Sequence, residues 1–344
     1  MRPGKKLDAE YLYYLSVSDD FRHNGEAWMY GAGGQKRVPD DFVKEFRIGF
    51  PPLSEQQAIA AFLDRETGRI DSLIAKKQRL LELLAEQRTA LISRAVTKGL
   101  DATVKLKPSG VEWLGDVPEH WEIWKLAHGF DLVGSGTTPP SDELEWYEGT
   151  IPWITTSELR ENLITTIEKA VTKEAVHRFS ALKIFPKGSL AIAMYGATIG
   201  RLGILGIEAT TNQACCVMHG GQVFAIPFVY YWMQAFKDSI ILLASGGGQP
   251  NISQDKIKSI KIPCPNISEQ QAIATYLDCE TAKIDTLSAK VVTVIERLKE
   301  YRTALISSAV TGKIDVSTEL NTSVSNTLNT SVSTTLNTSV RGTV

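Results

Sequence analysis

Two short stretches carry side-chain carboxamides of a kind that can read DNA bases: Asn212-Gln213 and Gln249-Pro250-Asn251. A carboxamide donates and accepts at once, so Asn or Gln can pair bidentately with the N6/N7 edge of adenine. Each stretch by itself is equally at home in a turn or a buried hydrogen-bond network. Hydroxyls come from Ser135-Gly136-Thr137-Thr138-Pro139-Pro140, from Tyr195 and from Thr198, and cations come from Lys183, Lys187 and Arg201. Such groups contact phosphate oxygens and fix a protein's register on a duplex. The candidate DNA contacts are therefore Ser135, Thr137, Thr138, Lys183, Lys187, Tyr195, Thr198, Arg201, Asn212, Gln213, Gln249 and Asn251. Lys237, Lys256, Lys258 and Lys261 are further candidates for a phosphate-facing surface.

Enzyme signatures are missing. Gly196-Ala197-Thr198-Ile199-Gly200-Arg201 superficially suggests a phosphate loop, but it lacks both the Walker Lys-Ser/Thr and the Gly-x-Gly-x-x-Gly spacing. The five histidines show no metal-ligand spacing. There is no Gly-x-Ser-x-Gly elbow and no Asn-Pro-Pro-aromatic tetrapeptide. Neither a catalytic residue nor a bound metal is expected in this chain.

Composition sets wider bounds. The chain has 344 residues, with 37 Lys+Arg against 39 Asp+Glu and a formal net charge of −2. That balance argues against a polybasic nucleic-acid binder but permits a reader whose cations share one face. Acid dominates residues 112–148, where Lys125 is the one basic residue, and base dominates 160–262. No run of about 18 apolar residues exists to cross a membrane. The opening Met1-Arg2-Pro3-Gly4-Lys5-Lys6 lacks the apolar stretch of a signal peptide. Four cysteines without a Cys-x-x-Cys pair suit a reduced, cytoplasmic protein.

An internal repeat organises the elements that must position these groups. Ser54-Glu55-Gln56-Gln57-Ala58-Ile59-Ala60 returns as Ser268-Glu269-Gln270-Gln271-Ala272-Ile273-Ala274, and the match runs without a gap to Asp101 and Asp315. Over those 48 positions 29 are identical, which establishes a duplication. Each copy reads as one long helix, with prolines upstream, Ser54 or Ser268 as N-cap and a Gln three positions on. Apolar residues recur about every 3.5 positions (Ile59, Leu63, Ile70, Leu73, Leu80, Leu84, Leu91; Ile273, Leu277, Ile284, Leu287, Val291, Val294, Leu298, Tyr301, Leu305), as in a coiled-coil seam. The two rods are expected to satisfy each other's seams.

The repeat continues upstream. Gly33-Gly34-Gln35 matches Gly247-Gly248-Gln249, and Tyr11-Leu12-Tyr13-Tyr14 resembles Phe228-Val229-Tyr230-Tyr231. Residues 1–50 thus read as the end of a domain whose complete version is 102–262, with helices over 51–101 and 263–315. The complete domain is expected to be α+β. Leu190–Tyr195 and Cys215–Met218 read as buried strands, Phe228–Leu243 as helix, and Trp121 and Trp124 as core anchors. Residues 316–344 repeat Leu-Asn-Thr-Ser-Val every eight positions and read as a disordered, low-complexity tail.

These features resemble the specificity subunit of type I restriction–modification systems. The likeness rests on Ser109-Gly110-Val111-Glu112-Trp113-Leu114-Gly115-Asp116-Val117-Pro118-Glu119-His120-Trp121-Glu122, Gly196-Ala197-Thr198-Ile199-Gly200, Asn212-Gln213-Ala214, and the Pro-x-x-Ser-Glu-Gln-Gln helix starts at Pro51 and Pro265. It implies target-recognition domains that each read half of a split site in double-stranded DNA. It implies two long antiparallel coiled-coil helices that space the domains and dock methyltransferase (M) subunits. A non-catalytic chain is implied, with S-adenosylmethionine, ATP and Mg2+ on partner M and restriction/motor (R) subunits. The chain departs from the pattern in that its first recognition domain is only partial. The resulting expectations are self-association to read an inverted repeat, a donor cassette for recombination, or a scaffold remnant that does not bind DNA specifically.

Overall fold

A computed structural model describes residues 5–31, 36–49, 51–244 and 250–316. Gly33-Gly34-Gln35, Gly247-Gly248-Gln249 and nearly all of the repeat tail lie outside the described residues. Two compact units divide the chain: residues 1–83 with 286–344, and residues 84–285. No helix among the described residues is long and apolar enough to cross a membrane.

The first unit contains α1 (Ala9–Val17), α2 (Asp19–Ala27) and α3 (Asp40–Glu45). It also holds the first part of the long helix α4 (Leu53–Lys98). Asp8 caps α1 by accepting from the amides of Glu10 and Tyr11, and Ser18 caps α2.

The second unit carries twelve short strands among its described residues. They are β1 (Leu106–Pro108), β2 (Asp116–Pro118), β3 (Glu122–Lys125), β4 (Leu132–Ser135), β5 (Ile151–Ile154), β6 (Asn162–Ile164), β7 (Ala170–Val171), β8 (Leu190–Ala193), β9 (Leu202–Leu205), β10 (Thr210–Thr211), β11 (Cys215–His219) and β12 (Lys261–Cys264). Helices α5 (Lys173–Arg178), α6 (Ile226–Ala235), α7 (Lys237–Leu242) and α8 (Gln254–Ser259) stand between them. The second long helix, α9 (Ile267–Val310), starts in this unit. The main sheet has the order β4-β11-β8-β9-β6, all antiparallel except β6 beside β9. A smaller sheet runs β10-β5-β7, and β12 pairs with β3.

The continuous apolar runs of β8 and β11 follow from burial on both faces. Leu190, Ile192, Cys216 and Met218 join the core around Trp121 and Trp232, while Ala191, Ala193, Cys215 and Val217 join the core around Phe185. Burial pushes the Cys215 and Cys216 thiols up to about 12, so both stay neutral at physiological pH.

The two long helices start at Leu53 and Ile267, two residues before the first helical positions that Ser54 and Ser268 would cap, and their caps differ from expectation. Asn266 Oδ1, not Ser268, accepts the amide of Glu269 at 2.9 Å, because Asn266 directly precedes the first helical residue, where a side-chain oxygen can reach the open amides. The Gln three positions on is also not the important one. Gln56 and Gln270, one position earlier, are fully buried. Gln270 Nε2 donates to the carbonyls of Val223 and Pro265 (both 2.8 Å), while its Oε1 accepts the amide of Ala225. Gln56 Nε2 donates to Lys6 and Pro51, and its Oε1 accepts from Asp8. Each repeated glutamine thus ties a helix start to the segment that leads into α6 or α1.

Other duplicated contacts reinforce the same join. The Tyr14 hydroxyl donates to Asp64 at 2.6 Å, and the Tyr231 hydroxyl donates to Asp278 at 2.6 Å. Burial, then the bond to Asp64, pushes the Tyr14 phenol up to about 12. Within the first unit Arg302 pairs with Asp71 at 2.9 Å, and within the second Arg88 pairs with Asp285 at 3.1 Å. In both, an early stretch of one helix meets a late stretch of the other, so the helices run antiparallel.

The expected seam is corrected in part. Ile59, Leu63, Ile70, Leu84, Ile273, Leu277, Val291 and Leu305 are buried. Leu73, Leu287, Val294 and Tyr301 are exposed. Ile92, Val96, Ile306 and Val310 are buried instead, because the globular segments pack on the helix ends and demand a broader apolar face there than a 3.5-residue stripe supplies. Trp124 is likewise only half-buried: it lies on the two-stranded β12-β3 ribbon, with Nε1 donating to Glu122.

Candidate nucleic-acid interface

One end of the main sheet gathers most of the nominated polar residues. Ser135 ends β4, Tyr195 follows β8, Arg201 precedes β9, and Asn212-Gln213 precede β11. The antiparallel register places these positions side by side: Cys216 faces Ser135, Cys215 faces Ala193, and the amide of Ala193 donates to the carbonyl of Arg201. Asn251 joins them through an isolated β-bridge to Tyr195.

Hydrogen bonds hold the cluster. The Thr138 hydroxyl donates to Gln213 Oε1 and the Tyr195 hydroxyl to the Gln213 carbonyl, both at 2.6 Å. Asn212 Oδ1 accepts the amide of Ala214, and the amide of Asn212 donates to Ile154. The Ser135 hydroxyl donates to Gln254 Oε1 at 2.9 Å. Thr137 supplies its carbonyl to Trp153 Nε1. Gln213, Thr138 and Asn251 remain exposed. Among the described residues, Gln213 Nε2 makes no hydrogen bond and Arg201 makes no ion pair. Among the described residues the cluster therefore presents the Gln213 amide donor and the Arg201 guanidinium unpaired, beside hydroxyls of Ser135, Thr138 and Tyr195 that are hydrogen-bonded within the protein.

Two backbone features shape it. Gly136 passes so close to Thr211 that a Cβ there would lie 1.7 Å from the Thr211 carbonyl oxygen. Gly196 and Gly200 adopt φ of 71° and 75°, which turns the chain tightly between β8 and β9. That turn is a short 3-10 segment, Gly196–Thr198, with the Thr198 hydroxyl spent on the Tyr195 carbonyl.

The remaining nominees lie apart. Lys183 and Lys187 are exposed and precede β8, at the opposite end of that strand from Tyr195. Lys237 is neutralised by Glu161 at 2.9 Å, Lys258 lies 4.0 Å from Asp255, and Lys256 donates to the Leu243 carbonyl. Lys261 is exposed on β12. Gln249 lies outside the described residues. The lysines are thus dispersed, because residues close in sequence leave a short strand from opposite ends.

Sequence reading missed Glu158 and Gln254, which brace this end. Burial opposes ionisation of Glu158, but hydrogen bonds from Thr155 and Ser157 outweigh it and hold its carboxyl below the ordinary range. No local motif marks either residue. Among the described residues no group of three His, Cys, Asp or Glu side chains is placed to hold a metal.

The family model for the type I restriction modification DNA specificity domain matches residues 2–83 and 118–297. The putative type I restriction enzyme MjaX specificity subunit of Methanocaldococcus jannaschii is 26% identical over 325 residues, covering 92% of this chain and 71% of that protein. The type I restriction enzyme EcoR124I/EcoR124II specificity subunit of Escherichia coli is 29% identical over 210 residues, covering 59% of this chain and 48% of that protein. Two solved structures share the fold at 18% identity. One comes from work on complex assembly and conformational transition of the type I R-M system, with a TM-score of 0.73 over 91% of this chain and 74% of that one. The other is the HsdS subunit from Thermoanaerobacter tengcongensis, with a TM-score of 0.56 over 90% and 72%.

Proposed function

The chain belongs to the type I restriction modification DNA specificity family, and on that premise we propose that residues 102–262 read one half of a split DNA site. The observation that carries this reading is the convergence of Thr138, Tyr195, Arg201, Gln213 and Asn251 at one end of the main sheet. There a free amide donor meets base edges while the guanidinium meets phosphates, and the hydroxyls of Thr138 and Tyr195 hold Gln213 in place. Lys183 and Lys187 contribute phosphate contacts further along the duplex.

The helix pair docks methyltransferase subunits. Leu53 and Ile267 are exposed, and so are Leu73 and Leu287, at matching positions of the two repeats. A duplicated pair of exposed apolar residues suits two equivalent partner surfaces. Catalysis belongs to those partners and to the restriction subunit, which bring S-adenosylmethionine, ATP and Mg2+.

Coexpression with an M subunit followed by genome-wide mapping of methyladenine tests the function. A new methylated motif is expected, and two copies of this chain acting together give a symmetric split motif. No new methylation refutes the reading in favour of a scaffold remnant. A second measurement tests the lysines. Replacing Lys183 and Lys187 by alanine should lower the slope of log K against log salt by about 1.8, given about 0.9 per phosphate contact. An unchanged slope removes both lysines from the interface.

A further inference from the structure

Arg160 stands at the same end of the main sheet as Arg201, although no sequence motif marks it. Strands β6 and β9 run parallel, with Asn162 opposite Gly203. The Glu161 amide donates to the Leu202 carbonyl at 2.8 Å, so Arg160 and Arg201 each stand one residue ahead of a bonded pair. The two arginines thus enter adjacent strands, which lie about 4.8 Å apart in a sheet. Arg160 is exposed and Arg201 half-buried. Neither guanidinium forms an ion pair among the described residues.

The two carboxylates that flank Arg160 in sequence are engaged elsewhere. Glu161 has φ of 53°, a left-handed conformation that a residue with a Cβ holds only when its surroundings fix it. The Tyr230 hydroxyl of α6 donates to its carbonyl at 2.8 Å, and Lys237 of α7 pairs with its carboxylate at 2.9 Å. Glu158 accepts from the hydroxyls of Thr155 and Ser157 and lies 3.7 Å from Lys169. Arg160 Nε donates to the Ser157 carbonyl at 3.0 Å, which fixes one edge of the guanidinium and leaves its terminal nitrogens without a partner among the described residues. The same loop borders the carboxamide cluster, because the Asn212 amide donates to the carbonyl of Ile154, just before Thr155.

We propose that Arg160 and Arg201 together grip one backbone phosphate of the bound duplex, a contact that rests on the half-site reading above. Two cations on neighbouring strands repel each other until an anion lies between them. A guanidinium held along one edge offers its remaining donors in a fixed geometry, which suits the oxygens of a phosphate. A guanine edge takes one bidentate arginine, whereas a phosphate has oxygens enough for two. The grip sets the register of the sheet end on the duplex, so that Gln213 meets its base.

The test uses the full chain and fluorescent duplexes of mixed sequence. Arg160→Gln and Arg201→Gln should each weaken binding at least threefold. The double variant should weaken it by less than the product of the two, because both remove the same contact. Its slope of log K against log salt should fall by about 0.9, the value for one phosphate. Arg160→Lys should keep the slope yet bind less tightly, since an ammonium cannot keep the Nε bond to Ser157. Unfolding midpoints matching the parent's establish that the variants fold. Multiplicative single effects overturn the shared grip, as does an unchanged slope or a loss confined to duplexes with one particular base pair. A parent chain that binds no duplex overturns half-site reading as well. Arginine variants that bind like a DNA-binding parent overturn the grip alone.

Discussion

Gln270→Ala destabilises the second unit by about 3 kcal/mol or more. The substitution strands the carbonyls of Val223 and Pro265 and the amide of Ala225, which now meet one buried side chain. Each buried group left unsatisfied costs about 1–3 kcal/mol. Gln56→Ala makes the same cut in the first unit, at Lys6, Pro51 and Asp8. Its cost is smaller, because Lys6 is exposed and water can reach its carbonyl. Denaturant unfolding followed by tryptophan fluorescence separates the two, since every tryptophan except Trp28 lies in the second unit. Gln270→Ala should lower that fluorescence midpoint markedly and Gln56→Ala should move it little. Equal midpoints for Gln270→Ala and the parent protein would show that the glutamine is not the join.

Gln213→Ala and Asn251→Ala each lower discrimination between the proper site and a site changed at one base pair. A well-placed carboxamide contributes about 1–3 kcal/mol of such discrimination. The double variant should lose at least about 30-fold of its preference for specific over nonspecific DNA, because two separate base contacts add. Binding to nonspecific DNA should hold, because phosphate contacts supply it. Thr138→Val provides a finer check. The Thr138 hydroxyl fixes the Gln213 amide by donating to Oε1, so its loss should weaken discrimination without removing the carboxamide. Methyladenine mapping or competition binding on a randomised site measures both. A uniform loss of affinity for all sequences would show that these residues hold the fold and read nothing.

The repeat was legible because a helix keeps its contacts local. An offset of 214 residues, the upstream prolines and the helical run located both long helices, with ends two to five residues inside the expected spans of 51–101 and 263–315. Burial along them was less legible. Leu73 and Val294 follow the expected period yet face water, because neighbours far away in sequence decide which part of a helix is covered. Gln56 and Gln270 illustrate the same limit. Their identity stood in the motif, but their role depends on carbonyls near residues 6 and 223, which the fold brings to them.

The candidate interface divides along similar lines. Thr138, Tyr195, Arg201, Gln213 and Asn251 were nominated as DNA contacts from residue type and short motifs taken together with the family resemblance. Their convergence depends on the β4-β11-β8-β9 order, and strand pairing between distant segments has no local signature. Lys183 and Lys187 lie only eight or more residues before Tyr195, yet a strand between them carries them to the other end of the sheet. By itself, then, the amino-acid sequence determined the duplication, the two long helices and the chemical types available for recognition. The tertiary structure alone decided which of those groups meet, because non-local pairing sets proximity.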